Sequence, residues 1–420
     1  MKTIGLLKNT IQEYAWGSYT AIPELLGYDS PAGVPQAELW MGAHPKAPSM
    51  VKCDGRWMSL VEVIEQHPQD VLGKEVAAKF NNRLPYLFKV LAAAKPLSIQ
   101  AHPSRSQATQ GFERENKLKI PLDAGNRNYK DDNHKPECIC ALTPLWALNG
   151  FRKISKMLSL LEKACPHGLE GEIAKLRKKP DSQGLKRFFH SLMTMSGRRQ
   201  KQIIDTALLN AQKLLKDNQA FEWMIHLQHE HPDDMGIFAP ILLNLICLEP
   251  GQAMFLPAGE LHAYLDGVGL ELMANSDNVL RGGLTPKHVD VPELLNVLTF
   301  KERKITILSK KTINNCEAIY SCESEEFILS VITINKGKHY LSPSQRSMEI
   351  ILCTEGNASI VDIERKETIS LARGSSVMIP AAVKAYRIDG NATFYKASVP
   401  VQYYQNVSKE KDHGLHFRYS

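Results

Sequence analysis

A mainly β protein with an α-helical insert is the fold class that these 420 residues predict. Three observations predict it. Turn-formers punctuate residues 1–150 at roughly ten-residue intervals, as in "WGSYTAIPELLGYDSPAGVP". Between 152 and 235 the apolar residues adopt helical spacing. From about 240 onward β-rich segments such as "EEFILSVITINKG" and "SMEIILCTEGNASIVDI" return and dominate.

The elements follow in order. Residues 1–150 read as strands and loops, with one helix predicted within 59–80 from the spacing of Leu60, Val63, Ile64, Val71 and Leu72. Ile154, Met157, Leu158 and Leu161 then recur at i, i+3, i+4, i+7. Leu185, Phe188, Phe189 and Leu192 repeat that pattern, and so do Ile204, Ala207, Leu208 and Ala211. A fourth helix covers Phe221, Met224 and Ile225. After it comes "LNLICLEPGQAMFLPAGELHAYLDG", again β. "GQAMFLPAGELHAYLDG" at 251–267 is echoed by "GSSVMIPAAVKAYRIDG" at 374–390: Gly, then Pro-Ala six residues later, then Ala-Tyr and a closing Gly. Two short β units of one pattern predict two related barrels. The expected domains are 1–151 with 236–302, an inserted helical unit at 152–235, and a C-terminal barrel at 303–420.

Bulk properties exclude several function classes. The net charge of +6 is modest and, apart from "KLRKKP", spread along the chain, which argues against a nucleic-acid partner. It suits an anionic small substrate. No run approaches the ~18 apolar residues of a membrane helix, and the N-terminus lacks a signal-peptide core. The eight cysteines include no C-x-x-C pair, as expected for thiols in a reducing cytoplasm.

Within "PLSIQAHPS", Gln100 and His102 stand two apart, just after an apolar run. On a strand they project to the same side. Alone, such a pair reads as hydrogen-bonded polar groups in a core. Company changes that reading. "HKPEC" brings His134 and Glu137, and "PAGELHAY" brings His262. A Glu in an apolar setting is costly unless paired or metal-bound. A Gln, two His and a Glu from separate strands make a mixed N/O site for a divalent metal. Small double-sheet barrels of the cupin type build such sites from H-x-H, a later Glu and a third His, with Gln100 here replacing the first His.

The chain resembles the type I phosphomannose isomerases. The carrying stretches are "YAWGS" (14–18), "AELWMGAHP" (37–45), "YLFKVLAAAKPLSIQAHP" (86–103), "DDNHKPE" (131–137), "FLPAGELHAYL" (255–265) and "ELMANSDNVLRGGLTPKHVDVPELL" (271–295). The resemblance implies cupin-type jelly-roll barrels and one Zn2+ per chain on Gln100, His102, Glu137 and His262. It implies interconversion of mannose 6-phosphate and fructose 6-phosphate, with Arg281 as catalytic residue. Gly282 stands where relatives often have Ala.

Under that resemblance, Arg281 steadies an oxyanion or holds phosphate; its bland reading is an ion pair with Asp277. Lys135 and Lys287 are further cations for the substrate, with Lys89 a weaker one. Ser98 shares a face with Gln100, and Tyr264 one with His262. Glu271, His134 and Lys135 remain open as the proton carrier. Trp16 and Glu38-Leu39-Trp40 read as barrel packing, Glu38 being satisfied by backbone N–H groups. A small sugar phosphate is the expected partner of a monomeric cytoplasmic enzyme. An iron-dependent cupin oxygenase and a non-catalytic sugar-phosphate sensor are the competing readings. In the echo Lys384 falls opposite His262, and an ammonium has no lone pair for a metal. Residues 303–420 hold only His339, His413 and His416. The C-terminal barrel is therefore expected to be metal-free and to cover apolar surface of the first.

Overall fold

The computed structural model describes residues 2–30, 33–53 and 55–401. His413, His416 and the end of the 303–420 unit lie outside them. The chain is mainly β, with a ten-stranded and an eleven-stranded sheet built of antiparallel pairs. The hub of the first sheet is the long strand His262–Ala274. It pairs with Tyr86–Ala93, Gln100–Ala101, Glu137–Ala141 and Leu145–Phe151. The chain leaves this sheet at Phe151 and returns at Leu243, whose strand pairs with Leu145–Phe151.

One irregularity on the hub strand sorts its side chains. A bulge lies between Tyr264 and Asp266. Before it, Ala263 and Leu265 face the helices, where they join Ile99, Leu185, Phe189 and Leu192 in one apolar core. After it the parity changes. Leu270 and Leu272 now join Phe88 and Val90 against Leu329, Met348, Ile350 and Leu352 of the C-terminal unit. Glu271 is thereby turned to the inner face, opposite Lys89 and Ile139. Gly267 lets the strand pass this point. Its φ is 112°, and a Cβ there would lie 2.3 Å from the Pro144 carbonyl oxygen.

Several elements differ from the sequence expectation. The 59–80 segment is three short helices, Leu60–Gln66, Pro68–Leu72 and Lys74–Lys79. Pro68 and Gly73, at φ 91°, divide them. The helical stretch holds five helices rather than four; Glu170–Lys178 buries only Ile173 and Leu176, too thin a stripe to read. Helix Arg105–Lys117 falls where strands and loops were expected. It is polar, and its readable signal was the capping box of Ser104 with Gln107. Only Gln100–Ala101 of "PLSIQAHPS" is strand, and His102 follows it.

The first 151 residues are not confined to one sheet. Strand Gly5–Lys8 pairs with Ser376–Ile379 and with Met50–Cys53, in the eleven-stranded sheet. The two sheets also share a core and a hydrogen bond from the Tyr86 hydroxyl to the Ala397 carbonyl, at 3.0 Å. Both echo copies are strand, turn, strand, at Ala253–Leu256 then His262–Ala274, and at Ser376–Ile379 then Tyr386–Ser398. Lys384 is exposed in the second turn and pairs with Glu364 at 2.7 Å. Lys384→Ala is expected to leave metal content and kcat within error of the parent, and a loss of either would show that this turn serves the site.

Candidate metal centre

His102, Glu137 and His262 converge, all at most 3% exposed. They form a group of possible metal ligands whose atoms lie within 4.8 Å of one another. Three antiparallel strand pairings make this possible. His262 is opposite Gln100, Arg281 is also opposite Gln100, and Glu137 is opposite Met273 on the hub strand. All four residues named as ligands thus come from neighbouring segments of one sheet. Gln100, half-buried, is placed by register between His262 and Arg281.

The hydrogen bonds of the two imidazoles decide what this cluster is. His102 Nδ1 lies 2.7 Å from the Asn278 carbonyl oxygen, and His262 Nδ1 lies 3.1 Å from that of Glu260. A carbonyl oxygen only accepts, so each Nδ1 carries the hydrogen. Burial, helped by the charge of Lys135, pushes His102 down to about 4, so the ring is neutral near pH 7. His102 Nε2 is then a lone pair. His102 Nε2 faces Glu137 Oε1 at 3.2 Å, and His262 Nε2 faces Glu137 Oε2 at 3.2 Å. Among the described residues His102 Nε2 and Glu137 Oε2 find no hydrogen-bond partner. Burial by itself would raise the Glu137 carboxyl, yet the Lys135 ammonium beside it holds it well below the carboxylate range. Lys135 Nζ is 3.1 Å from its Oε1. Buried lone pairs aimed at a carboxylate are unfavourable unless a cation stands among them. The donor set therefore fits a divalent metal, with both rings oriented by backbone carbonyls behind them.

Residues 4–154 match the type I phosphomannose isomerase catalytic domain. A mannose-6-phosphate isomerase of Escherichia coli is 42% identical over 389 residues, covering 92% of this chain and 97% of that one. The chain belongs to the type I phosphomannose isomerases. A single-residue variant of the phosphomannose isomerase of Salmonella typhimurium superposes with a TM-score of 0.87 at 38% identity, covering 95% of this chain and 100% of that one. A zinc-bound mannose 6-phosphate isomerase structure gives 0.87 at 39% identity with the same coverage.

The other residues singled out as isomerase site residues divide into those the fold gathers and those it does not. Arg281 is half-buried and next in register to Gln100. Asp277, its partner in the bland alternative reading, is taken instead by Lys46 at 2.8 Å, with His44 at 3.5 Å. Among the described residues no ion pair reaches Arg281, and burial lowers its pKa. Glu271 meets Lys89 at 2.9 Å, and Glu38 lies 3.7 Å from the same ammonium. Glu38 also accepts from the Trp40 indole at 2.6 Å, so side chains rather than backbone N–H groups satisfy it. Tyr264 is buried with its ring centroid 6.3 Å from that of His262. Its hydroxyl makes no hydrogen bond of good geometry among the described residues, and burial beside Glu271 and Glu137 holds its pKa well above normal. Ser98 is half-buried on the approach to Gln100, and Lys287 is exposed on a loop. His134 is drawn away to Glu326, at 2.6 Å.

Asn278 escaped the sequence reading. It is fully buried and its carbonyl orients His102. Its side chain donates to the carbonyls of Asp131 and Asn133, at 2.8 and 2.9 Å, and accepts from the Lys130 N–H at 2.7 Å. It thus stitches "NSDN" to "DDNHKPE". The density of Asn, Asp and Ser in both stretches was the signal available.

Proposed function

We propose that this chain interconverts D-mannose 6-phosphate and D-fructose 6-phosphate on one zinc ion held by His102, Glu137, His262 and Gln100. The observation that carries the reading is the pair of buried imidazoles, each held at Nδ1 by a backbone carbonyl and turning Nε2 to one carboxylate. The zinc-bound relative supports the choice of metal. The reading places the site in a cupin-type jelly-roll barrel of residues 1–151 and 236–302, beside a helical domain at 152–235 and a second barrel at 303–420. Strand Gly5–Lys8, which pairs with Ser376–Ile379 of the C-terminal unit, qualifies that division. No disulfide forms among the described residues, in keeping with a cytoplasmic protein, and among them no helix is long and apolar enough to cross a membrane.

In this reaction the opened sugar passes a proton between C2 and C1 through a cis-enediol. A bound zinc ion would act as a Lewis acid toward O1 and O2. One carboxylate ligand leaves about one positive charge on such a site, which favours an enediolate. Arg281, a half-buried cation with no acidic partner among the described residues, answers to the same oxyanion or to the phosphate. Lys135, at the Glu137 carboxylate, is the better-placed proton carrier. Glu271 is neutralised by Lys89 in the barrel interior and serves as its counter-charge. Ser98, Tyr264 and Lys287 complete the substrate surface in this reading.

A coupled assay with mannose 6-phosphate tests the reaction, and metal analysis separates zinc from the iron of an oxygenase. Lys135→Gln is expected to lower kcat by roughly 10² or more, the range of general acid–base catalysis. Glu271→Gln should cost at least tenfold less at equal zinc content. The reverse order of the two variants would make Glu271 the carrier.

A further inference from the structure

Glu326 joins the C-terminal unit to the segments that flank two of the proposed ligands. Glu326 lies between strands Glu317–Tyr320 and Ile328–Ile334 of the eleven-stranded sheet and is 2% exposed. Its Oε1 lies 2.6 Å from His134 Nε2 and accepts from Arg105 Nη2 at 2.8 Å, and that same Arg105 nitrogen lies 2.8 Å from His134 Nε2. Its Oε2 accepts from the Ser324 hydroxyl at 3.0 Å. The two basic partners are not arbitrary. Arg105 opens the helix that starts three residues after the ligand His102. His134 stands three residues before the ligand Glu137 and is followed at once by Lys135, which touches Glu137. A single oxygen thus ties together the segments that carry two different ligands.

We propose that Glu326 is a positioning residue of the metal centre, supplied by the C-terminal unit, which clamps the His102 and Glu137 segments at a fixed separation. The carboxylate is well suited to this. Burial alone would raise its pKa, but His134 above all draws it down to about 2, so it keeps its charge through the physiological range. Charge-assisted hydrogen bonds of this kind are short and directional. Groups behind metal ligands set how firmly the ligands are held, and losing them typically costs about 10–100-fold in metal affinity or activity. The C-terminal unit would then complete the site as well as cover apolar surface.

The inference rests on the proposed metal site. Zinc content and turnover of the unaltered chain test that site first, whatever Glu326 does. Glu326→Gln keeps the size and removes the charge. In the full-length, zinc-loaded protein we expect zinc release to a chelator to quicken about tenfold and kcat to fall about tenfold, with KM within about twofold. Arg105→Gln, at a side chain 58% exposed, breaks the clamp from its outer side and should act in the same direction. The double variant should be no worse than Glu326→Gln alone, because both act through one contact. If Glu326→Gln does not fold, Arg105→Gln carries the test by the same two readouts. Parental zinc-release rate and kcat in the folded variants, with only a lower melting temperature, would overturn the proposal and leave Glu326 a packing residue. Fully additive effects would overturn the shared contact.

Discussion

His262→Ala and His102→Ala should each yield a folded protein that no longer holds stoichiometric zinc and has lost its turnover. Each ring contributes one nitrogen to a set of three buried possible metal ligands, and a methyl group offers none. Changes behind the ligands already cost about 10–100-fold, so losing a ligand itself should lower metal affinity by more than about 10²-fold. Fold should survive, because Lys135 remains 3.1 Å from Glu137 to offset its charge. Gln100→Ala should weaken binding less, since a neutral amide oxygen is the weakest donor of the set. Metal analysis, circular dichroism and the coupled assay on the same samples decide it. A His262→Ala protein that keeps one zinc per chain and normal kcat would remove the proposed centre. Chelation of the parent protein should abolish turnover, and added zinc should restore it.

Arg281→Ala is expected to keep zinc and fold while kcat falls by roughly 10² or more, as when an oxyanion donor is lost. At tenfold per 1.36 kcal/mol this corresponds to about 2.7 kcal/mol or more of transition-state stabilisation. The structure strengthens the expectation. A surface ion pair was the alternative role for this guanidinium, and its supposed partner Asp277 is engaged by Lys46 and His44. A half-buried cation with no acidic partner among the described residues is costly to maintain unless an anion arrives. Arg281→Lys should recover only part of the loss, because the point charge returns without the planar fork of donors. Near-parental kcat in Arg281→Ala would place the residue outside the reaction.

Much of the site was legible before any fold was known. His102, Glu137 and His262 were named from residue type and setting, and the structure brings all three together. Gln100 followed from its two-residue spacing to His102, and register puts it beside His262 and Arg281. The long helices were legible because each repeats an apolar stripe. Helices Arg105–Lys117 and Glu170–Lys178 were missed because they bury few apolar side chains.

By itself the sequence determined which donors exist, where the chain turns helical, and which family it resembles; these are properties of residue type and short-range spacing. The tertiary structure alone decided how the donors face one another. The tautomers of His102 and His262 depend on carbonyls at Asn278 and Glu260, and nothing in a periodicity reports them. Strict alternation from His262 would have sent Glu271 to the outer face, and the bulge between Tyr264 and Asp266 reverses that. Glu326 reaches His134 across 192 positions, through a pairing of segments that no local pattern encodes. Local spacing sets what a segment can present. Register, bulges and long-range packing set what it meets, because a shift of one residue on a strand moves every side chain to the opposite face.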